Sequence, residues 1–148
     1  MNWYNRALQL ININREPHMS VTIYHNPRCS KSRDALRFLN DSGLKPTIVL
    51  YLDAGWTAEI LVSLKQSTDL GWEKMLRADA TRELITAIAN SDNKKIIDYV
   101  VKNPVALERP FVTTAKGTRP CRPLTALLEI IDERPRSPWL TEKGEEII

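Results

Sequence analysis

Hydrophobic and polar positions in the first third of the chain follow two different periods. Residues 21–24 form a short β-branched and aromatic run, which is typical of a strand. Residues 30–42 carry apolar side chains at helical spacing, and Gly43 supplies a C-terminal stop. The nearly continuous apolar run at 47–52 predicts a strand buried on both faces. The order strand, helix, strand indicates a right-handed parallel crossover.

The rest of the chain changes character twice. Residues 57–103 mostly show helical spacing, so we expect a helical insertion at about 55–104 between two halves of an α/β core. Residues 109–123 predict two short strands around a Lys-Gly turn. Pro123 suits the first turn of a final helix, and the charged tail from Arg134 onward is expected to be loosely held.

Composition narrows the class of protein. The 148 residues are 43% apolar, which suits one domain at 19–148, whereas residues 1–18 are expected to form a disordered extension without signal-peptide or membrane-span character. The net charge of +3 comes without a basic run, so we expect no nucleic-acid or membrane partner and favour a small anionic substrate. Two distant cysteines predict neither a disulfide framework nor a zinc site, and favour a reducing cytoplasmic setting.

The segment "YHNPRCSKSR" carries the candidate chemistry. Cys29 follows a strand and a turn and lies at the start of the predicted helix, where unpaired backbone N–H groups and the helix dipole favour an anion. His25, Lys31 and Arg33 surround it, and cations of this kind stabilise a thiolate. The alternative is an inert, packed cysteine, but the polar neighbours on both sides favour a nucleophile.

The spacing after Cys29 argues against two thiol chemistries. Ser32 stands where a dithiol oxidoreductase has its second cysteine, and Ala35 stands where a phosphate-loop phosphatase has its arginine. A single nucleophilic thiol without a nearby partner thiol must be regenerated by an external thiol if it performs redox chemistry.

Four segments together resemble the glutaredoxin-coupled arsenate reductases and their reductase-like homologues. They are "TIYHNPRCSKSR", "TIVLYL", "ERPFV" and "GTRPCRP", in order and with similar spacing, and the resemblance runs from about Ser20 to Glu145. It implies an α/β fold: a thioredoxin-like mixed sheet with a helical insertion between a βαβ half and a C-terminal ββα half. It also implies reduction of arsenate to arsenite with glutathione as co-substrate and glutaredoxin as partner. No bound cofactor, no metal and a monomer are expected.

The resemblance also assigns an oxyanion site to three arginines. Arg77, Arg109 and Arg122 fall where the family carries its oxyanion-binding arginines, with Arg119 as a possible substitute. Thiolate attack on arsenate brings two anions together, and arginine suits this site because its planar fork stays charged and binds two oxygens. The resemblance further suggests a cis peptide at Arg109–Pro110.

Further expectations concern the loop around the cysteine. His25 matches the family's histidine that helps to stabilise the thiolate, and Asn26 and Ser32 are expected to support the loop. The family's reductases commonly have Gly and Thr after the cysteine, whereas this chain has Ser30 and Lys31. Lys31 either adds positive charge to the pocket or narrows it.

Three alternatives remain open at this level. Regulators that bind RNA polymerase share the fold and the opening motif, although they often carry Cys-x-x-Cys, and Ser32 counts against them. A monothiol oxidoreductase that acts on glutathione mixed disulfides, and not on arsenate, fits the same residues. Cys121 is either a distant second thiol or, as its alternation with Arg122 indicates, a core residue.

Overall fold

The structure, a computed structural model, describes residues 20–77, 80–107 and 109–148, so the expected disordered extension at 1–18 lies outside the described residues. Four strands are present, β1 (Thr22–Tyr24), β2 (Thr47–Val49), β3 (Phe111–Thr114) and β4 (Gly117–Pro120). The α-helices are α1 (Ser30–Asp41), α2 (Tyr51–Ala54), α3 (Ala58–Gln66), α4 (Trp72–Met75), α5 (Arg82–Ala89) and α6 (Asn93–Lys102). Two 3₁₀ segments follow, Pro104–Leu107 and Leu124–Glu129.

The four strands form one mixed sheet in the order β2-β1-β3-β4. The β1–β2 pair is parallel, as the strand-helix-strand pattern predicts, and the other two pairs are antiparallel. The turn at Ala115–Lys116, directly before Gly117, joins β3 to β4, so the predicted hairpin is confirmed. No helix within these described residues is long and apolar enough to cross a lipid bilayer.

The sheet separates two hydrophobic clusters. Successive side chains of a strand point to opposite faces, so Phe111 enters one cluster and Val112 the other. Val112 packs with α1 and the C-terminal segment, including Phe38 and Trp139. Phe111 packs with the helices that lie between β2 and β3. Both faces of β3 are therefore covered, and its residues are fixed from two sides.

Helix α1 forms as the apolar spacing predicts. Ala35, Phe38 and Leu39 are fully buried on one face, against the sheet cluster. The helix ends at Asp41, and Gly43 follows with a φ of 83°, a left-handed conformation that glycine adopts without steric cost. This helix fixes the position of Cys29, which immediately precedes it.

The predicted buried strand at 47–52 is wrong in length and in burial. Strand β2 has three residues, of which Thr47 and Ile48 are exposed, and the chain turns into α2 at Tyr51. The physical reason is the strand order, because β2 pairs with β1 alone and lies at the edge of the sheet. An apolar run does not reveal whether a second strand will pair with it.

The predictions for the C-terminal region also need correction. The expected final helix is a 3₁₀ segment that follows Pro123. The tail from Arg134 is not loosely held: Trp139 is buried and packs edge-on against Phe38, with ring centroids 4.9 Å apart. Its indole N–H donates to Asp41 Oδ2 over 2.8 Å. These contacts attach the tail to α1, although the two segments are about 100 residues apart in the sequence.

The expected cis peptide at Arg109–Pro110 is wrong as well. Among the described residues, the cis peptide bonds are Arg122–Pro123 and Ser137–Pro138. One of these two cis bonds follows Arg122, another of the predicted site arginines.

Candidate active site

Cys29 lies at the junction of a tight loop and α1. It is the N-cap residue of the helix, with extended backbone angles, and its own N–H donates to the carbonyl of Asn26 over 3.0 Å. Its carbonyl accepts the first helical hydrogen bond, from Arg33 N. The backbone N–H groups of the first turn are left for an external acceptor, which makes this end of the helix favourable for an anion.

Ser32 joins the two ends of this loop. Its hydroxyl is buried, accepts a hydrogen bond from the backbone N–H of Asn26 over 3.0 Å, and lies 2.6 Å from His25 Nδ1. The Asn26 side-chain oxygen in turn accepts from Arg28 N over 3.1 Å. Ser32 stands where a dithiol motif has its second cysteine. Its hydrogen bonds to Asn26 and His25 show that it stabilises the loop.

His25 is buried under the loop and is held by its backbone N–H, which donates to Val49 O over 2.8 Å. Burial, and after it the positive charge of Arg33, lower the pKa of His25 below its ordinary value of 6.5. The imidazole is therefore neutral at neutral pH. In that form His25 orients the loop through Ser32 and adds no full positive charge beside the thiol.

Arg122 makes the most direct contact with the thiol. Its Nη2 lies 3.3 Å from Cys29 Sγ, although the two residues are 93 positions apart in the chain. The antiparallel pairing of β4 with β3 brings this arginine, just beyond the end of β4, to the start of α1. Within the part of the chain that the structure describes, no carboxylate forms an ion pair with Arg122.

Arg109 lies near Arg122 and is partly buried. Its Nη2 donates to the carbonyl of Leu76 over 3.2 Å, and its buried Nε has no hydrogen-bond partner among the described residues. Burial, followed by the positive charges of Arg122 and then Arg77, lowers the pKa of Arg109 from its ordinary value. Among the described residues no carboxylate pairs with Arg109, and burying a cation is costly unless an anion binds to it.

Arg77 is exposed and lies two residues after the end of α4. Its backbone N–H donates to Ala106 O over 3.0 Å, which ties the α4 segment to the segment preceding β3. It is close enough to Arg109 for the two charges to interact. Arg77 and Arg122 therefore both lie near Arg109, and Arg122 also contacts the sulfur.

Arg119, the possible substitute, has a different environment. Its guanidinium forms ion pairs with Asp69 over 3.1 Å and with Glu129 over 2.7 Å. Two carboxylates compensate its charge, so it offers little to a further anion. The geometry does not favour Arg119 as an oxyanion ligand.

Cys121 has the character of a core residue. It is 1% exposed, and burial raises the pKa of its thiol well above the ordinary value. Its backbone N–H donates to Pro110 O over 2.8 Å, which holds the start of the Arg122 segment beside β3. A protonated, buried thiol is a poor nucleophile.

Arg33 and Glu142 form a connection that the sequence did not reveal. Two guanidinium nitrogens of Arg33 bind the two carboxylate oxygens of Glu142, over 2.6 and 3.0 Å. The third nitrogen, Nη1, donates to Pro27 O over 2.9 Å. Arg33 lies four residues after Cys29, so the sequence could indicate that both are on the same helix face. The sequence could not indicate that Glu142, 109 positions away, is its partner.

Known proteins resemble this chain over most of its length. The ArsC family model matches residues 24–130. The chain is similar to an arsenate reductase of Escherichia coli, with 34% identity over 131 residues that cover 87% of this chain and 93% of that protein. It is also similar to an arsenate reductase of Synechocystis, with 35% identity over 130 residues that cover 86% and 93%.

A solved structure gives the same picture for the fold. The structure of an arsenate reductase from Vibrio cholerae superposes with a TM-score of 0.65 at 34% identity, covering 76% of this chain and 98% of that one. The predicted fold class, an α/β thioredoxin-like mixed sheet, is confirmed by this similarity together with the four-stranded sheet described above.

Proposed function

The chain belongs to the ArsC family, and we propose that it reduces arsenate to arsenite, with Cys29 as nucleophile and with glutathione and glutaredoxin as electron donors. One observation carries the proposal. Arg122 Nη2 lies 3.3 Å from Cys29 Sγ, and neither Arg122 nor the neighbouring Arg109 has a carboxylate partner among the described residues.

The charges define where arsenate binds. Arsenate carries about two negative charges near neutral pH, and a thiolate that approaches it meets electrostatic repulsion. Arg122 is positioned to stabilise the sulfur anion and to take an oxygen of the substrate, while Arg109 and Arg77 take the remaining oxygens. Free N–H groups at the start of α1 add to this positive environment.

In the first step the Cys29 thiolate attacks arsenic and a sulfur–arsenic bond forms. One arsenic–oxygen bond breaks, and that oxygen leaves as water after it takes up a proton. Arsenic remains in the +5 state, so this step is a substitution and not yet a reduction.

The reducing electrons come from two further thiols. Glutathione displaces a second oxygen as water and becomes bound to arsenic through its sulfur. The glutaredoxin thiol then attacks that glutathione sulfur: a disulfide forms, the arsenic–glutathione bond breaks, and its electron pair stays on arsenic, which becomes +3. Water finally releases arsenite and returns Cys29 to the thiol form.

A coupled assay tests this proposal. Purified protein with arsenate, glutathione and glutaredoxin is expected to release arsenite, and Cys29→Ser is expected to lower that rate by at least about a thousandfold, because the first covalent step is lost. Equal arsenite release by both proteins would contradict the role of Cys29.

The same assay separates the alternative activity. A glutathionylated test peptide replaces arsenate in a parallel reaction. Release of the peptide thiol without any arsenite production would show a monothiol oxidoreductase of the same fold and would overturn arsenate as the substrate.

A further inference from the structure

Arg122 forms part of the wall between two grooves. One groove contains Arg109 and is the arsenate side described above. The other has a cavity volume of about 260 Å³ and lies between the first turn of α1, the Leu124–Glu129 segment and the C-terminal tail. This volume is just below the ~300–1,000 Å³ typical of sites for drug-sized ligands. Both grooves meet at the residue that contacts the Cys29 sulfur.

Besides Arg122, the second groove carries two charges without ion-pair partners among the described residues. Lys31 and Glu145 line it, and neither forms an ion pair within residues 20–77, 80–107 and 109–148. The other carboxylate of the groove, Asp34, is already occupied, because its Oδ1 accepts the backbone N–H of Glu142 over 2.8 Å and lies 3.4 Å from Arg37 Nη2. Thr125 and Thr141 supply hydroxyl groups, and Ile147 an apolar surface.

We propose that this groove binds glutathione, with Lys31 taking the glycine carboxylate and Glu145 the γ-glutamyl ammonium group. The inference rests on the proposed function, which requires glutathione to reach arsenic on Cys29. Glutathione has two carboxylates, one ammonium group and a central thiol. A groove with Lys31 as a cation, Glu145 as an anion and an end at Arg122, which contacts the reactive sulfur, has the complementary pattern.

Distances along the chain decide the direction of binding. Lys31 follows Cys29 by two residues on α1, a rise of about 3 Å along the helix axis. The glycine carboxylate is less than two extended residues, under about 7 Å, from the glutathione thiol, whereas the γ-glutamyl ammonium group lies farther from it. Lys31, two residues from Cys29, therefore takes the glycine carboxylate, and the carboxylate of Glu145 on the tail takes the γ-glutamyl ammonium group.

The groove also depends on the part of the chain beyond the family match. Thr141, Glu145 and Ile147 follow residue 130, where the matched region ends. The ordered tail places them there through Trp139, which is anchored on Phe38 and Asp41. Binding of the second substrate thus gives the ordered tail a role besides stability.

A binding measurement tests the groove independently of turnover. S-methylglutathione, whose thiol is blocked, is titrated into the full chain and followed by calorimetry. Lys31→Gln is expected to weaken binding about tenfold, as loss of one charged hydrogen bond does. Lys45→Gln, an equal charge change in the exposed segment between α1 and β2, is expected to bind like the original chain.

A shortened ligand sharpens the assignment. S-methyl-γ-glutamylcysteine lacks the glycine carboxylate, so Lys31→Gln is expected to leave the affinity for this ligand unchanged. Glu145→Gln is expected to weaken the binding of both ligands. Equal binding of S-methylglutathione by Lys31→Gln and Lys45→Gln would overturn the proposal. An equal loss of affinity for both ligands in Lys31→Gln would also overturn the proposal.

Turnover separates this inference from the proposed function. In the coupled assay, Lys31→Gln is expected to raise KM for glutathione about tenfold and to change KM for arsenate and for glutaredoxin much less. A raised KM for glutaredoxin alone would mean that the groove receives the protein partner and would overturn the inference while arsenate reduction stands. Lys31-dependent ligand binding without any arsenite release would instead overturn the proposed function and support the groove.

Discussion

Arg119 and Arg122 are three residues apart in one segment, yet their surroundings are opposite. Arg119 binds two carboxylates, Asp69 and Glu129, at the outer end of the sheet. Arg122 has the Cys29 sulfur as its neighbour at 3.3 Å and no ion-pair partner in the part of the chain that the structure describes. The same residue type thus serves the fold at one position and remains available to a ligand at the other.

The difference teaches how to separate structural from binding arginines. Carboxylates that pair with a guanidinium compensate its charge, so little positive potential remains for a substrate. Among the described residues the charges that act on Arg109 are positive, and with burial they lower its pKa. Cations gathered in this way, with Arg122 and Arg109 free of carboxylate partners among the described residues, are the electrostatic arrangement expected of an oxyanion site.

The largest expected effect comes from Arg122→Gln, with Arg119→Gln as the matched variant. Arg122→Gln is expected to lower kcat/KM for arsenate about 100- to 1,000-fold, because a charged donor at the developing oxyanion is lost. Arg119→Gln is expected to retain most of the activity and to lower the free energy of unfolding by ~1 kcal/mol, since its ion pairs are partly exposed. Steady-state kinetics and urea unfolding of both variants measure this contrast.

The opposite result would break the comparison. If Arg119→Gln loses as much kcat/KM as Arg122→Gln, then charge compensation does not distinguish the two arginines. A large loss of stability in Arg122→Gln would show that its contact with Cys29 serves folding.

A smaller effect is expected for the second thiol. Cys121→Ala is expected to keep kcat within about twofold and to lower the free energy of unfolding by ~1 kcal/mol, because a buried sulfur leaves a small cavity. Kinetics in the coupled assay and urea unfolding check this. A loss of turnover as large as that of Cys29→Ser would instead make Cys121 a resolving thiol.

The smallest effect concerns His25, whose positive charge is suppressed by burial. Its pKa is lowered in the folded chain, so below pH 6.5 the unfolded chain takes up a proton that the folded chain does not. Stability is therefore expected to fall as the pH drops below 6.5, by less than ~1.4 kcal/mol per pH unit for this one group. Urea unfolding at several pH values should show a weaker dependence in His25→Gln; identical dependence in both proteins would contradict the buried, neutral imidazole.

Local sequence patterns predicted the strand-loop-helix segment around Cys29 and the β3–β4 hairpin. The strand-loop-helix segment around Cys29 depends on neighbours in sequence: β-branched residues, a proline turn and helical apolar spacing. The hairpin that carries Arg119 and Arg122 also follows from a short-range Lys-Gly turn. The resemblance named Arg77, Arg109 and Arg122, and the structure groups their charges.

Two failures of prediction, the buried strand at 47–52 and the loosely held tail, involve partners distant in sequence. The edge position of β2 follows from the strand order, and the ordered tail follows from the packing of Trp139 on Phe38, about 100 residues earlier. The carboxylates that compensate Arg119 come from Asp69 and Glu129, which no local pattern connects to it. Local patterns identify candidate charges, and tertiary contacts decide which of them remain uncompensated.

The central claim is that uncompensated arginines hold an arsenate ion against the Cys29 sulfur. Protection of Cys29 from iodoacetamide tests it directly, as the ratio of alkylation rates without and with arsenate, measured by mass spectrometry in the absence of glutathione. The account predicts strong protection in the original chain and in Arg119→Gln, and little in Arg122→Gln. Alkylation of the original chain at the same rate with and without arsenate would contradict it.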